Sequence, residues 1–304
     1  MLTSDKEPAA EAILDKRQLQ SLGVLLPIRL SALSFFAGRH PLGRAGDGMR
    51  FLRTRPFESG QDNPRDIDKF SPPDEYRINE WEAEAQASVM IYADVSASML
   101  FEPKAALLHL TLLQLTYSLW RASDRVRTTL YHEAKQQLIA KRNLKGQLEQ
   151  LIIELNHGGL QVGRNAIDVL AKHAGNRQSV RDDLVFLVSD FCPLAADSAV
   201  DDVYDWRTVM RAMSCDVIPI IISFELAVGQ RGAIRLWDAE RRQHRLTLLT
   251  SSRIVAINTA ERARVAKLQA LFRRLGLDHL DLRRKLDVYP ELARLARWRR
   301  RRRH

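Results

Sequence analysis

The chain has 304 residues and a mass of 34.8 kDa, with 45% hydrophobic and 28% charged residues, a globular composition with enough apolar mass for a large core. These proportions exclude a disordered, collagen-like, disulfide-scaffold or multi-span membrane chain. The net charge of +10 is concentrated at one end: seven arginines lie between Arg294 and Arg303, and removing residues 294–304 leaves +3, so bulk charge is a weak argument for nucleic acid as a partner.

Two cysteines, Cys192 and Cys215, both sit in apolar runs, which points to a reducing compartment with the thiols as small core residues. The N-terminus is polar and lacks the basic start and apolar centre of a signal peptide. The stretch from Gly23 to Gly38 is apolar but interrupted by Pro27 and Arg29, too short and broken to span a bilayer. No transmembrane segment is expected, and the expected location is the cytoplasm.

In chain order, residues 11–37 carry helical signals broken near Gly23 and Pro27. From Gly38 to Asp74 glycine, proline, arginine and aspartate dominate, which reads as an irregular arm containing a short strand from Met49 to Arg55. Ser88 to Asp94 is a buried strand ending in a carboxylate. Pro103 opens a helix running to about Arg121, so rich in leucine that it must be covered nearly all round. Strands are expected over 126–132 and 137–140, and helices over 144–155 and 163–173. Leu184 to Asp190 is a second buried strand ending in aspartate; a helix over 205–213 follows. Cys215 to Ser223 is a third strand, with Pro219 expected near an edge or bulge. A hairpin over 233–250, a long helix over 258–275 and a basic helix over 290–303 complete the chain. Strands alternating with helices predict a mostly parallel sheet with helices on both faces. The expected division is an arm over 1–86, an α/β domain over 87–288 and a basic C-terminal helix or tail over 289–304.

Open α/β sheets place ligands beyond the C-terminal ends of their strands. Asp94-Val95-Ser96-Ala97-Ser98 offers three oxygens that can curl toward one point, and Asp190 ends another strand. An all-oxygen set suits a hard divalent ion, most naturally magnesium, with manganese as the alternative. It has the spacing of the metal-ion-dependent adhesion site of von Willebrand factor A domains. The same residues also suit a turn that caps the next helix.

Several segments recur in a characteristic order: Gly43 to Phe51, then Arg55-Pro56-Phe57-Glu58-Ser59-Gly60 leading to Arg65-Asp66-Ile67-Asp68. Asp94 to Met99, His157-Gly158-Gly159 with Gly163, Val188-Ser189-Asp190-Phe191 and the arginine-rich end follow. Over roughly residues 38–304 the chain resembles the bacterial domain-of-unknown-function family 58, a branch of the von Willebrand factor A-like proteins. The resemblance implies a Rossmann-like α/β fold and a non-enzymatic, chaperone-like adaptor. It also implies a MoxR-type AAA+ ATPase as partner, acting with the chain in maturation or assembly of client proteins. The implied metal ligands are Asp94, Ser96, Ser98 and Asp190. Two departures stand out. Leu160 occupies the position where the family usually offers threonine, so one ligating oxygen is missing and the adhesion site is incomplete, although magnesium retains waters that can fill such a position. Lys69 and Phe70 follow Ile67-Asp68 where the family usually has tryptophan.

Other constellations are weaker. The eight histidines show no zinc spacing, and no phosphate-binding Gly-x-x-x-x-Gly-Lys-Ser/Thr loop is present. Glu58, Asp62, Asp66 and Asp68 read as turn-forming and arginine-pairing residues rather than a nuclease-like set, because Arg53, Arg55 and Arg65 are close by. A magnesium-dependent hydrolase on the strand-end carboxylates is the enzymatic alternative, without a visible general base. Arg294 to Arg303 reads as a solvated helix end, a dock for an acidic partner, or a contact to anionic lipid or nucleic acid.

Overall fold

The structure, a computed structural model, describes residues 40–72, 74–85, 87–99, 103–121, 124–132, 136–156, 166–175, 184–192, 203–213, 215–227, 232–238 and 243–301. The expected helical signals over 11–37, the His157-Gly158-Gly159-Leu160 element and Gly163 lie outside these residues.

The arm is a two-stranded antiparallel sheet of β1 (His40–Pro56) and β2 (Arg77–Ala85). The short strand expected over 49–55 is thus the far end of a much longer one. Glycines at 43, 46 and 48 hide the alternation of its first half, where the register slips between Pro41 and Arg50. Arg55 pairs with Asp62 at 2.5 Å and with Glu80 at 2.6 Å, and Asp62 also accepts the Glu58 N–H. Asp62 therefore closes the turn after β1, as the arginine-pairing reading expects.

The main sheet has six strands: β3 (Ser88–Asp94), β4 (Arg125–Tyr131), β5 (Gln136–Ile139), β6 (Leu184–Ser189), β7 (Asp216–Ile222) and β10 (Leu280–Leu282). Their order is β10-β7-β6-β3-β4-β5, all parallel except β5. Counted in chain order within the sheet, this is 3-2-1-4-5-6, the doubly wound arrangement, and the winding reverses between β3 and β6. A separate antiparallel pair, β8 (Gly232–Asp238) and β9 (Gln243–Leu249), forms the expected hairpin.

Both faces are covered, so the central strands are apolar on both sides rather than alternating. Val89, Ile91 and Ala93 point into one core with α1 (Lys104–Arg121), α2 (Leu144–Asn156) and α6 (Val288–Arg301). Met90 and Tyr92 point into the other with α3 (Ala166–Gly175), α4 (Val203–Ala212) and α5 (Ser251–Arg274). In α1, Leu108, Leu112, Leu115 and Leu119 are fully buried, and Thr111, Gln114, Thr116 and Ser118 are buried too, which matches the leucine-rich pattern on every side.

Three details refine the sequence reading. Helix α5 begins at Ser251, earlier than 258, because Thr250 accepts the Arg253 N–H and caps it. Pro219 lies inside β7, a strand with neighbours on both sides, yet β10 pairs only with residues 220–222, so at Pro219 that side of β7 is still an edge. The basic C-terminal segment is a helix whose Leu292, Leu295 and Ala296 belong to the core. Its Arg299 is buried and pairs with Asp216 and, at 2.6 Å, with Asp278.

Candidate functional site

Two strand ends meet where the winding reverses. β3 terminates in Asp94, and its main chain stays tied to β4 by the Val95 N–H donating to the Tyr131 carbonyl at 3.0 Å. Asp94 Oδ1 accepts the Ser96 N–H at 2.9 Å and so bends the chain into a turn. Met99, fully buried, anchors the turn, and its N–H donates to the Ser96 carbonyl at 2.9 Å. The Ser96 and Ser98 hydroxyl oxygens come to 3.1 Å of each other.

On β6, Ser189 Oγ donates to Asp94 Oδ2 at 2.7 Å and accepts the Phe191 N–H at 3.0 Å. Asp190 comes next, directly beyond the strand. Its Oδ1 accepts the Cys192 N–H at 3.0 Å, its Oδ2 accepts from Lys104 Nζ at 2.7 Å, and its carbonyl accepts from Arg264 at 2.7 Å. Phe191 adopts φ 53°, a left-handed conformation unusual for a bulky residue. Its ring is wedged against Trp206 and Phe272, which hold the chain in the turn. Such strain costs on the order of 1–3 kcal/mol and is a recurrent property of binding and catalytic loops.

Asp94, Ser96 and Asp190 are buried and Ser98 is half-buried. Asp94 and Asp190 are thus neighbours at the ends of adjacent strands, and Ser96 and Ser98 lie on the turn that follows Asp94. Burial, and then the neighbouring charge of Asp190, push the Asp94 carboxyl up to about 7, against the Ser96 and Ser189 hydrogen bonds. Asp190 moves the other way. Burial would raise it, but the charge and hydrogen bond of Lys104, the Cys192 N–H and Arg264 together hold it below the ordinary carboxylate range. Burial likewise opposes the charge of Lys104, and Asp190 outweighs it and keeps the ammonium protonated.

The Ser96 and Ser98 hydroxyls are within hydrogen-bond distance of each other, a spacing that octahedral coordination by oxygen would also accept. Neighbouring corners of an octahedron with 2.0–2.1 Å bonds are about 3 Å apart, close to the 3.1 Å between the two serine hydroxyls. The buried Tyr131 hydroxyl, at the end of β4, faces the Asp94 carboxyl and the Ser189 hydroxyl. No group of three or more histidine, cysteine or carboxylate side chains among the described residues could hold a metal, so an ion at this rim would need hydroxyls and water besides its two carboxylates. Leu160, the departure from the family pattern, lies outside the described residues.

Sequence reasoning missed Lys104, Ser189, Tyr131 and Arg264. Lys104 left one signal. A lysine in the first turn of a helix opposes the helix dipole, and no acid accompanies it there. Arg264, on α5 and paired with Glu261 at 2.7 Å, left none, because its approach depends on how α5 packs.

A family model described as "Protein of unknown function DUF58" matches residues 53–267, more than half of the chain. No curated protein matches. Among solved structures, the chain is similar to an aerotolerance-related membrane protein from Bacteroides fragilis NCTC 9343 that carries multiple mutations to serines. The match has 12% identity and a TM-score of 0.44, over 70% of this chain and 99% of that one.

Proposed function

This chain belongs to the DUF58 family of proteins of unknown function, and on that premise we propose that it is a docking module rather than an enzyme. It engages a MoxR-type AAA+ ATPase, or a client of that ATPase, through the rim formed by Asp94, Ser96, Ser98 and Asp190. The energy for maturation or assembly of the client comes from the ATPase. The observation that carries the reading is the convergence of Asp94 and Asp190 at the reversal point of the sheet, linked by the hydrogen bond from Ser189 to Asp94.

Asp94, Ser96 and Ser98, with Asp190 behind them, would hold magnesium or manganese. When bound, the ion supplies an open coordination position that a partner carboxylate can occupy, as in adhesion sites of the von Willebrand factor A type. The chain's own part is to present the hydroxyls at coordination spacing, to exclude bulk water with Met99 and Phe191, and to hold the second carboxylate in place. Both site carboxylates are engaged by internal donors, which hold the rim in one arrangement. No described helix is long and apolar enough to cross a membrane.

The test is a pull-down of the MoxR-type ATPase from the same genome on the full chain, with magnesium and nucleotide or with EDTA. Capture that needs the divalent ion and disappears in Asp94→Ala is the expected outcome. Failure of the wild type to retain the ATPase or any client under either condition refutes the docking reading. Metal-dependent turnover of a phosphate ester that Asp94→Ala abolishes would replace it with the hydrolase alternative.

A further inference from the structure

We propose that Lys104 is a built-in counter-cation that competes with a divalent ion for Asp190, so that the rim takes up metal only as the lysine is displaced. This rests on the reading of the rim as a divalent-ion site and adds the residue that sets its affinity.

The ion pair is interior. Lys104 Nζ lies 2.7 Å from Asp190 Oδ2, and the two side chains are only 10% and 2% exposed. A buried ammonium is costly unless it is paired, so its placement needs an explanation. The helix does not provide one, because the first turn of α1 repels a cation and contains no acid. Asp190 does. Without a cation beside it, Asp190 would face the second carboxylate, Asp94, in a site that water does not screen.

The remaining donors around Asp190 are fixed. The Cys192 N–H is main chain, and Arg264 is held by the Asp190 carbonyl and Glu261. Lys104 alone among these groups reaches the carboxylate on a long single-bonded stem that can swing away. An ammonium and a divalent ion that share one carboxylate in so dry a site repel each other strongly. The lysine therefore keeps the rim stable in the absence of metal and raises the metal concentration needed to fill it.

The experiment is thermal melting of the full chain in EDTA and across a magnesium or manganese titration, with direct Mn²⁺ binding followed by electron paramagnetic resonance. Lys104→Met keeps the apolar stem and removes the charge. Its expected behaviour is a lower melting point in EDTA and a metal-induced rise whose midpoint lies at least tenfold below that of the wild type. Lys104→Gln keeps a hydrogen-bond donor to Asp190 and serves if the methionine variant fails to fold; it should bind Mn²⁺ at least tenfold more tightly than the wild type. Adding Asp190→Asn to Lys104→Met should restore the melting point in EDTA and remove the gained metal response. Equal metal affinity in the wild type and both single variants overturns the competition and leaves the divalent-ion reading standing. No metal binding in any of them overturns both.

Discussion

Ser189 and Asp94, 95 residues apart in the chain, are joined by a buried hydrogen bond of 2.7 Å. Because Ser189 also accepts the Phe191 N–H, one hydroxyl fixes the first carboxylate and the strained turn that carries the second. Ser189→Ala deprives both groups of a partner at a site from which water is largely excluded. It should lower unfolding stability by about 2 kcal/mol, read as a shift in the urea midpoint at constant slope. An unchanged midpoint would mean that the hydroxyl does not carry the turn.

The two aspartates give opposite pH trends. Asp94 has a folded value of about 7, above its ordinary 3.8, so between about pH 4 and 7 the native state binds a proton that the unfolded chain has lost. Its contribution is therefore present in full at the acid end of that window and is lost as pH rises toward 7. Asp190, held below its ordinary value, contributes stability above about pH 4 that disappears at lower pH. In EDTA, wild-type stability should carry a falling component from pH 5 to pH 7 that Asp94→Asn removes. Parallel profiles for the two proteins in urea titrations would contradict this.

Ser96→Ala with Ser98→Ala separates the turn from the ion. The turn is held mainly by the Ser96 main-chain N–H and by Met99, which the substitutions leave in place, and they remove only the hydroxyl contacts of Ser96 and Ser98. Melting in EDTA should change by less than about 1 kcal/mol, in line with the modest worth of a partly exposed hydrogen bond. Any metal-induced rise in melting point, and ATPase capture with it, should be lost.

Arg299 tests the C-terminal helix. It is buried and pairs with Asp216 at the start of β7 and with Asp278 ahead of β10. Arg299→Met strands both carboxylates and should cost about 3 kcal/mol. Arg297→Met, on the exposed side of the same helix, should be neutral within about 0.5 kcal/mol. Chemical denaturation of the two variants checks the contrast.

The rim was legible in the sequence where it depended on local pattern. Asp94 and Asp190 each end an apolar run long enough for one strand, and that run length locates the carboxyl edge of a parallel sheet. Ser96 and Ser98 followed from spacing within a turn. What escaped depended on packing between distant segments: Arg264 arrives from α5 and Tyr131 from the end of β4, and neither position has a distinctive neighbourhood in the chain. Arg299 was hidden for a different reason. Inside a run of arginines it looks like its solvated neighbours, and only the helical period places it with Leu292, Leu295 and Ala296 toward the body of the protein.

The six-stranded sheet has short margins on both sides, four residues in β5 and three in β10. An incoming β-segment finds few main-chain groups to template on, so fibril-like growth by lateral strand addition is disfavoured at either border. Strand-mediated self-association, where it occurs, is then left to the two-stranded pairs β1–β2 and β8–β9 rather than to the main sheet.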